Sequence, residues 1–198
     1  MIGPDHPFWI TREIIERYGT SLQFELGEYQ YRKDALDDTR EYILISATDA
    51  TPERIEDLIR ELTAGHELAL HSRVHFDEDD FLHIPMIDFC GFLLPESRDR
   101  MKKYLPHGIL DTLRLFDSGS SYHAYSTELL SQETWIEFMG KILLLNSPGE
   151  NPFVDTRWVG HRLIGGFGSL RWSWNTPQYK KIPTRVEQEG FFRPANTI

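Results

Sequence analysis

Residues 42–76 restrict the fold more than any other stretch of this chain. Residues 42–47 (YILISA) form a compact apolar run that predicts a buried strand, and Thr51 followed by Pro52 reads as a helix start. A threonine oxygen there can accept a first-turn amide, and proline at the first helical position has no amide to leave unpaired. Ile55, Leu58, Ile59 and Leu62 then recur at i, i+3, i+4 and i+7, one apolar stripe along a helix. Gly65 ends the stripe, and residues 67–76 (ELALHSRVHF) alternate as a strand. Strand, amphipathic helix and strand in this order predict a β-α-β unit with its helix lying on a sheet.

Around that unit the elements are shorter. Residues 11–18 (TREIIERY) predict a helix capped by Thr11 and closed by Gly19, and residues 22–31 a loosely alternating strand, while residues 34–40 are too polar to assign. Residues 83–89 (HIPMIDF) predict one apolar strand carrying Asp88, and a polar helix runs from Pro95 to about Leu105. Residues 113–125 (LRLFDSGSSYHAY) place β-prone residues on both sides of Asp117-Ser118-Gly119-Ser120, which is hairpin chemistry. Ser131 caps a helix whose apolar face is Trp135, Ile136, Phe138, Met139, Ile142 and Leu143. Residues 148–152 form a loop, Asp155 follows Phe153-Val154, and in residues 159–174 (VGHRLIGGFGSLRWSW) the glycines allow close backbone approach while the arginines and indoles suit phosphates and bases, the alternative being a glycine-kinked strand pair over packed tryptophans.

With 198 residues, 40% of them hydrophobic, the chain can bury a core as one compact domain or two small lobes. The net charge of −10 argues against a surface coated for nucleic acid, although residues 157–193 are dominated by Arg157, Arg162, Arg171, Lys180, Lys181, Arg185 and Arg193, so one end of the chain can meet phosphates. The opposing reading is that this basic end and the acid-rich residues 49–80 are both solvated faces. One cysteine, Cys90, leaves no internal disulfide and no multi-cysteine zinc site. The first residues lack a basic segment followed by an apolar one, and no apolar run approaches a membrane span, so a cytoplasmic protein without a membrane partner is expected.

Several residues carry chemistry. Ser121 and His123 are two apart on a strand, so they share a face where a hydroxyl and an imidazole can grip one anion; a surface turn with a satisfied histidine is the plainer reading. Asp88 sits in an apolar run, where an unpaired carboxylate is costly, so it must end a strand, accept hydrogen bonds or hold a cation. Asp155 is the second carboxylate attached to an apolar segment, and Arg162 and Arg171 suit phosphates. A metallohydrolase built on His66, His71, His75 and His83 is a further reading, but His66-Glu67 to His71 misses the H-E-x-x-H spacing by one residue. His71 and His75 on a strand would also lie about 13 Å apart at ~3.3 Å per residue.

Strand with Asp88, helix, hairpin with Ser121 and His123, helix, then Asp155 is an order that resembles the catalytic core of the archaeo-eukaryotic primase (primase-polymerase) superfamily. The motifs are Ile87-Asp88-Phe89-Cys90, Ser121-Tyr122-His123 and Val154-Asp155, followed by HRLIGGFGSLRWSWNT, which is similar to the R-x-x-G-S-L segment of that family. The resemblance implies an α+β, two-lobed fold, with an N-terminal α/β lobe over residues 1–80 and an RRM-like catalytic lobe over residues 81–198. It implies a nucleotidyltransferase of DNA replication in which Asp88 and Asp155 hold Mg2+ or Mn2+. Catalysis would rest on Asp88, Asp155 and His123, while Ser121, His123, Arg162 and Arg171 bind a nucleoside triphosphate. Lys180 and Lys181 would help to neutralise triphosphate or template charge. The strand extended is a DNA or RNA template-primer, and a helicase or other replication protein would come as a partner. Cys90 departs from the pattern, standing where the first motif usually has its second carboxylate, and a thiol is a poor ligand for Mg2+. Either Glu96 or one of the acids at 77–80 takes its place, or the protein is a catalytically impaired module that binds nucleotide or nucleic acid.

Overall fold

The computed structural model describes residues 2–35, 39–77, 80–91 and 97–186. In chain order the elements are α1 (Trp9–Tyr18), β1 (Gln23–Tyr29), β2 (Arg40–Ser46), α2 (Pro52–Glu61), β3 (Glu67–His75), β4 (Phe81–His83), β5 (Met86–Asp88), α3 (Ser97–Tyr104), α4 (His107–Asp111), β6 (Leu113–Asp117), β7 (Tyr122–Ser126), α5 (Gln132–Leu143), α6 (Thr156–Gly165), β8 (Ser169–Arg171) and β9 (Thr184–Arg185). They form a mixed α and β fold with two antiparallel sheets, one ordered β2-β1-β3-β4 with β8 also paired to β3, the other β5-β7-β6-β9. The first sheet therefore takes strands from both ends of the chain.

The β-α-β unit forms as its pattern dictates. β2 and β3 are each antiparallel to β1, so they run parallel to one another with β1 between them, and α2 makes the crossover. Thr51 Oγ1 accepts from Arg54 N at 3.2 Å, and Ile55 and Leu58 bury against Phe24, Leu26, Leu68 and Leu70. The other face of β1 and β3 is polar. His71 Nδ1 donates to Glu25 Oε1 at 2.7 Å and His75 Nε2 to Glu25 Oε2 at 3.3 Å. Gly27 is required there, because a Cβ at that position would lie 2.1 Å from His71 Nε2.

Four expectations need correction. α1 begins at Trp9, so Thr11 lies inside it and donates its hydroxyl to Phe8 O at 2.7 Å instead of capping. Among the described residues β2 pairs with β1 alone, and as an edge strand it leaves Tyr42 and Leu44 each 57% exposed. The strand expected over 83–89 is two strands, because the chain leaves the first sheet at His83 and enters the second at Met86, with Pro85 and its missing amide at the crossing. The segment after Asp155 is α6, not the first arm of a strand pair: the glycines end it, with Gly166 at φ 74°. The metallohydrolase reading, which the spacing already disfavoured, gains no support. His66 bonds Glu28, His71 and His75 share Glu25, His83 bonds Ser72 and Gln132, and among the described residues no three metal-ligating side chains converge. The predicted helix start at Pro95 lies outside the described residues.

In the second sheet the bridge between Phe89 and Val154 sets residue 154 beside β5. The spatial order Val154, β5, β7, β6, with α3 and α4 after β5 and α5 after β7, is that of a β-α-β-β-α-β lobe. Trp135, Phe138, Met139 and Ile142 of α5 pack on Ile87, Leu115 and Ala124, while Ile136 stands half-exposed. The residues alternating with these, Met86, Phe116 and Tyr125, face the other way and join the core of the first sheet. Among the described residues no helix is long and apolar enough to cross a membrane.

Candidate active site

The alternation that sends Ile87 and Ala124 toward α5 sends Asp88 and His123 toward the first sheet. These two are register partners across β5 and β7, and both line a cleft of about 210 Å3. Asp155 joins them through backbone bonds: Cys90 N donates to Phe153 O at 2.9 Å and Asp155 N to Asp88 O at 2.9 Å. The side chain of Asn146 holds that segment, accepting from Phe153 N at 2.6 Å and Val154 N at 2.8 Å and donating to Val154 O at 3.0 Å. Asp155 also caps α6, its Oδ1 accepting from Arg157 N at 2.8 Å and Trp158 N at 2.9 Å.

The electrostatics of this floor are distinctive. Burial, and after it the charge of Asp155, push the Asp88 carboxyl up to about 8, against the pull of Arg171. Burial and Arg171 push the His123 imidazole down to about 3. Both groups are neutral at pH 7 in the metal-free protein, and His123 Nε2 lies 3.8 Å from Asp88 Oδ1, beyond hydrogen-bond reach. Asp88 stays 23% exposed, so its carboxyl is available to the cleft. A carboxyl raised first by burial and then by a neighbouring carboxylate is one that a cation would stabilise in its charged form.

The opposite wall is cationic. Arg40 of β2 lies 4.1 Å over the Tyr29 ring and donates to Ser169 Oγ at 2.7 Å. Arg171 lies 4.0 Å over the Tyr179 ring, and the two tyrosine hydroxyls meet at 3.2 Å. Arg171 donates to the carbonyls of Ser173 and Ser118, and among the described residues not to a carboxylate. Arg162, buried on α6, is pushed down to about 10 by burial and so keeps its charge at neutral pH. Glu67 anchors the loop that brings Tyr179 here, accepting from Ser173 Oγ, from Asn175 N at 2.9 Å and from Thr176 N at 2.8 Å.

Of the residues singled out from sequence, Asp88, His123, Asp155, Arg162 and Arg171 line this one cleft. Ser121 lies in the hairpin turn, outside the lining, with its Oγ 3.2 Å from Ser118 Oγ and its carbonyl accepting from Ser118 N at 3.0 Å. Lys181 is paired with Asp117 at 2.8 Å and packs on the same turn. Tyr29, Arg40, Asn146 and Tyr179 were not anticipated. Arg40 sits in a segment too polar to assign, and the tyrosines gain meaning only from a contact between distant parts of the chain.

A family model described as AEP-like, archaeo-eukaryotic primase 1D-like, matches residues 46–184, well over half of the chain. The chain belongs to this primase family. Among solved structures it is similar to the crystal structure of the catalytic domain of primase Repb' in complex with initiator DNA, at 13% sequence identity and a TM-score of 0.55, over 94% of this chain and 87% of that one. At that identity the likeness speaks for the fold. A search of curated proteins finds no match.

In this primase-like chain the position of Cys90 matters. Burial, then the charges of Asp155 and Asp88, push its thiol up to about 11, so it is protonated at neutral pH. Among the described residues no third carboxylate completes a metal group with Asp88 and Asp155. Asp80 N donates to Asp77 Oδ1 at 2.8 Å in the turn between β3 and β4, away from the cleft lining, and Glu96 lies outside the described residues.

Proposed function

We propose that this primase-like domain is a divalent-metal-dependent nucleotidyltransferase that extends a template-directed nucleic-acid strand from nucleoside triphosphates. The reading is carried by one observation: Asp88 and Asp155, joined by a 2.9 Å backbone bond, share a cleft with Arg162 and Arg171. Mg2+ or Mn2+ fits the carboxylate side, where two oxygen-donor side chains line one cleft and burial, then the charge of Asp155, raises Asp88. Asp88 and Asp155 would hold it. Such an ion lowers the pKa of an attacking 3'-hydroxyl and offsets charge on the transferring phosphoryl group.

The rest falls to the chain itself. Arg162, Arg171 and Arg40 bind and orient the triphosphate oxygens, and the neutral His123 imidazole donates one N–H to a phosphate oxygen. Ser121 supports that contact through the hairpin turn that it shares with Ser118. The attacking oxygen, its proton passing to bulk water, bonds the α-phosphorus as the bond to the bridging oxygen breaks and pyrophosphate leaves. The likeness to a primase bound to initiator DNA supports nucleic acid as the second substrate; opening a duplex is left to a partner such as a helicase. A second reading is favoured by Cys90: a domain that binds nucleotide without transfer.

Primer extension with Mn2+ and mixed nucleotides separates them. Extension by the intact protein, lost in Asp155→Asn and in His123→Ala, is the expected result. Absence of extension, with calorimetric nucleotide binding weakened by His123→Ala, supports the binding module. Absence of both removes the cleft as a nucleotide site.

A further inference from the structure

The cleft has an aromatic edge that nothing above uses. Tyr31, immediately beyond β1, is 50% exposed and meets the Tyr179 ring at 6.1 Å and 60°. Trp174, just outside the cleft lining, is 56% exposed and donates its indole N–H to Tyr179 O at 2.8 Å, so it is anchored to the loop whose Tyr179 lines the cleft. Their exposure contrasts with Trp172, two residues earlier, which is fully buried in the core of the first sheet. Exposed Arg32 and Arg157 flank this edge, each lining the cleft, and Arg157 Nη2 donates to Ala35 O at 2.5 Å. Asp34 is the acid among them. On a chain of net charge −10, exposed aromatic faces beside arginines mark a place where the local charge opposes the overall charge.

We propose that Tyr31 and Trp174 form a stacking platform for the bases of a single-stranded nucleic acid entering the cleft. The inference rests on the nucleotide-handling reading and adds where the strand lies. Every base has a π face, so stacking on tyrosine and indole is independent of sequence, and the neighbouring arginines track the backbone phosphates. Duplex bases are stacked on one another and do not offer these faces. The platform therefore selects single strands, and it does so without metal.

The test is fluorescence anisotropy of a labelled oligothymidylate in chelator and without nucleotide, so that the outcome does not depend on the metal site. The intact protein binds, and Tyr31→Ala and Trp174→Ala each weaken binding at least fivefold, within the range measured for one lost stacking contact. Tyr31→Phe binds as the parent does, while a blunt duplex is bound equally by all variants. Melting temperatures confirm that these exposed substitutions leave the fold intact. Unchanged affinity in both alanine variants, or no binding by the parent, overturns the proposal. So does loss in Tyr31→Phe, which would assign the effect to the hydroxyl. Weakened nucleoside triphosphate binding with oligonucleotide affinity unchanged also overturns it, by giving the platform to the incoming base. Failure of extension with oligonucleotide binding intact would remove the transferase reading and leave this one standing.

Discussion

Asp155 performs two tasks with one carboxylate. Its Oδ1 closes the first turn of α6, and the same side chain lies close enough to raise Asp88. The tasks separate by substitution. Asparagine keeps an oxygen for capping and removes the charge, whereas alanine removes both. Asp155→Asn should melt within a degree or two of the parent, and Asp155→Ala should lose about 1 kcal/mol in urea unfolding. Both should lose metal-dependent extension. Equal melting of the two variants would mean that the cap contributes little. At this scale the sequence was informative about identity and silent about duty. An aspartate after an apolar pair could be recognised, but the run of glycines behind it suggested kinked strands, so its role as a helix cap was missed.

The elements were legible wherever the signal is local. Thr51-Pro52 and Ser131 open the helices that they announce, and the turn at 117–120 closes the hairpin that aligns His123 with Asp88. In the folded sheet alternation turns both side chains to one face, because a period of two admits one choice once Ile87 and Ala124 are buried, but the shared anion grip expected of Ser121 and His123 does not form, since Ser121 lies in the turn outside the cleft lining. The cleft wall was not legible. Arg40, Tyr29 and Tyr179 meet across long sequence separations, and no local pattern encodes that. Asn146 has the same character in miniature, since its meaning lies in the backbone of residues 153 and 154. Asn146→Ala should destabilise the protein by about 2 kcal/mol through unpaired polar groups and weaken metal binding by releasing the segment that carries Asp155. Isomorphous metal affinity in that variant would show that the strand bridge alone positions Asp155.

At the scale of the molecule, residues from both sheets line one polar cleft, and several buried histidines are held neutral. Burial pushes His6, His71 and His83 each down to about 4, from 6.5 when unfolded. A histidine depressed in the folded state binds more protons when unfolded, so its contribution is present above pH 6.5 and is lost as pH falls toward 4. Chemical unfolding between pH 7 and pH 4 should therefore show steadily falling stability, with the steepest loss below pH 6.5. A flat profile would contradict the burial assigned to these rings.

The central claim, that Asp88 and Asp155 form one cation site, is tested most directly by calorimetric titration of Mn2+ between pH 6 and pH 9 in the intact protein, Asp88→Asn and Asp155→Asn. Because Asp88 is raised to about 8, binding must release its proton. The affinity of the intact protein should rise about tenfold per pH unit below that value and level off above it, and each variant should lose the site. An affinity that ignores pH across this range, or survives in either variant, would contradict the account.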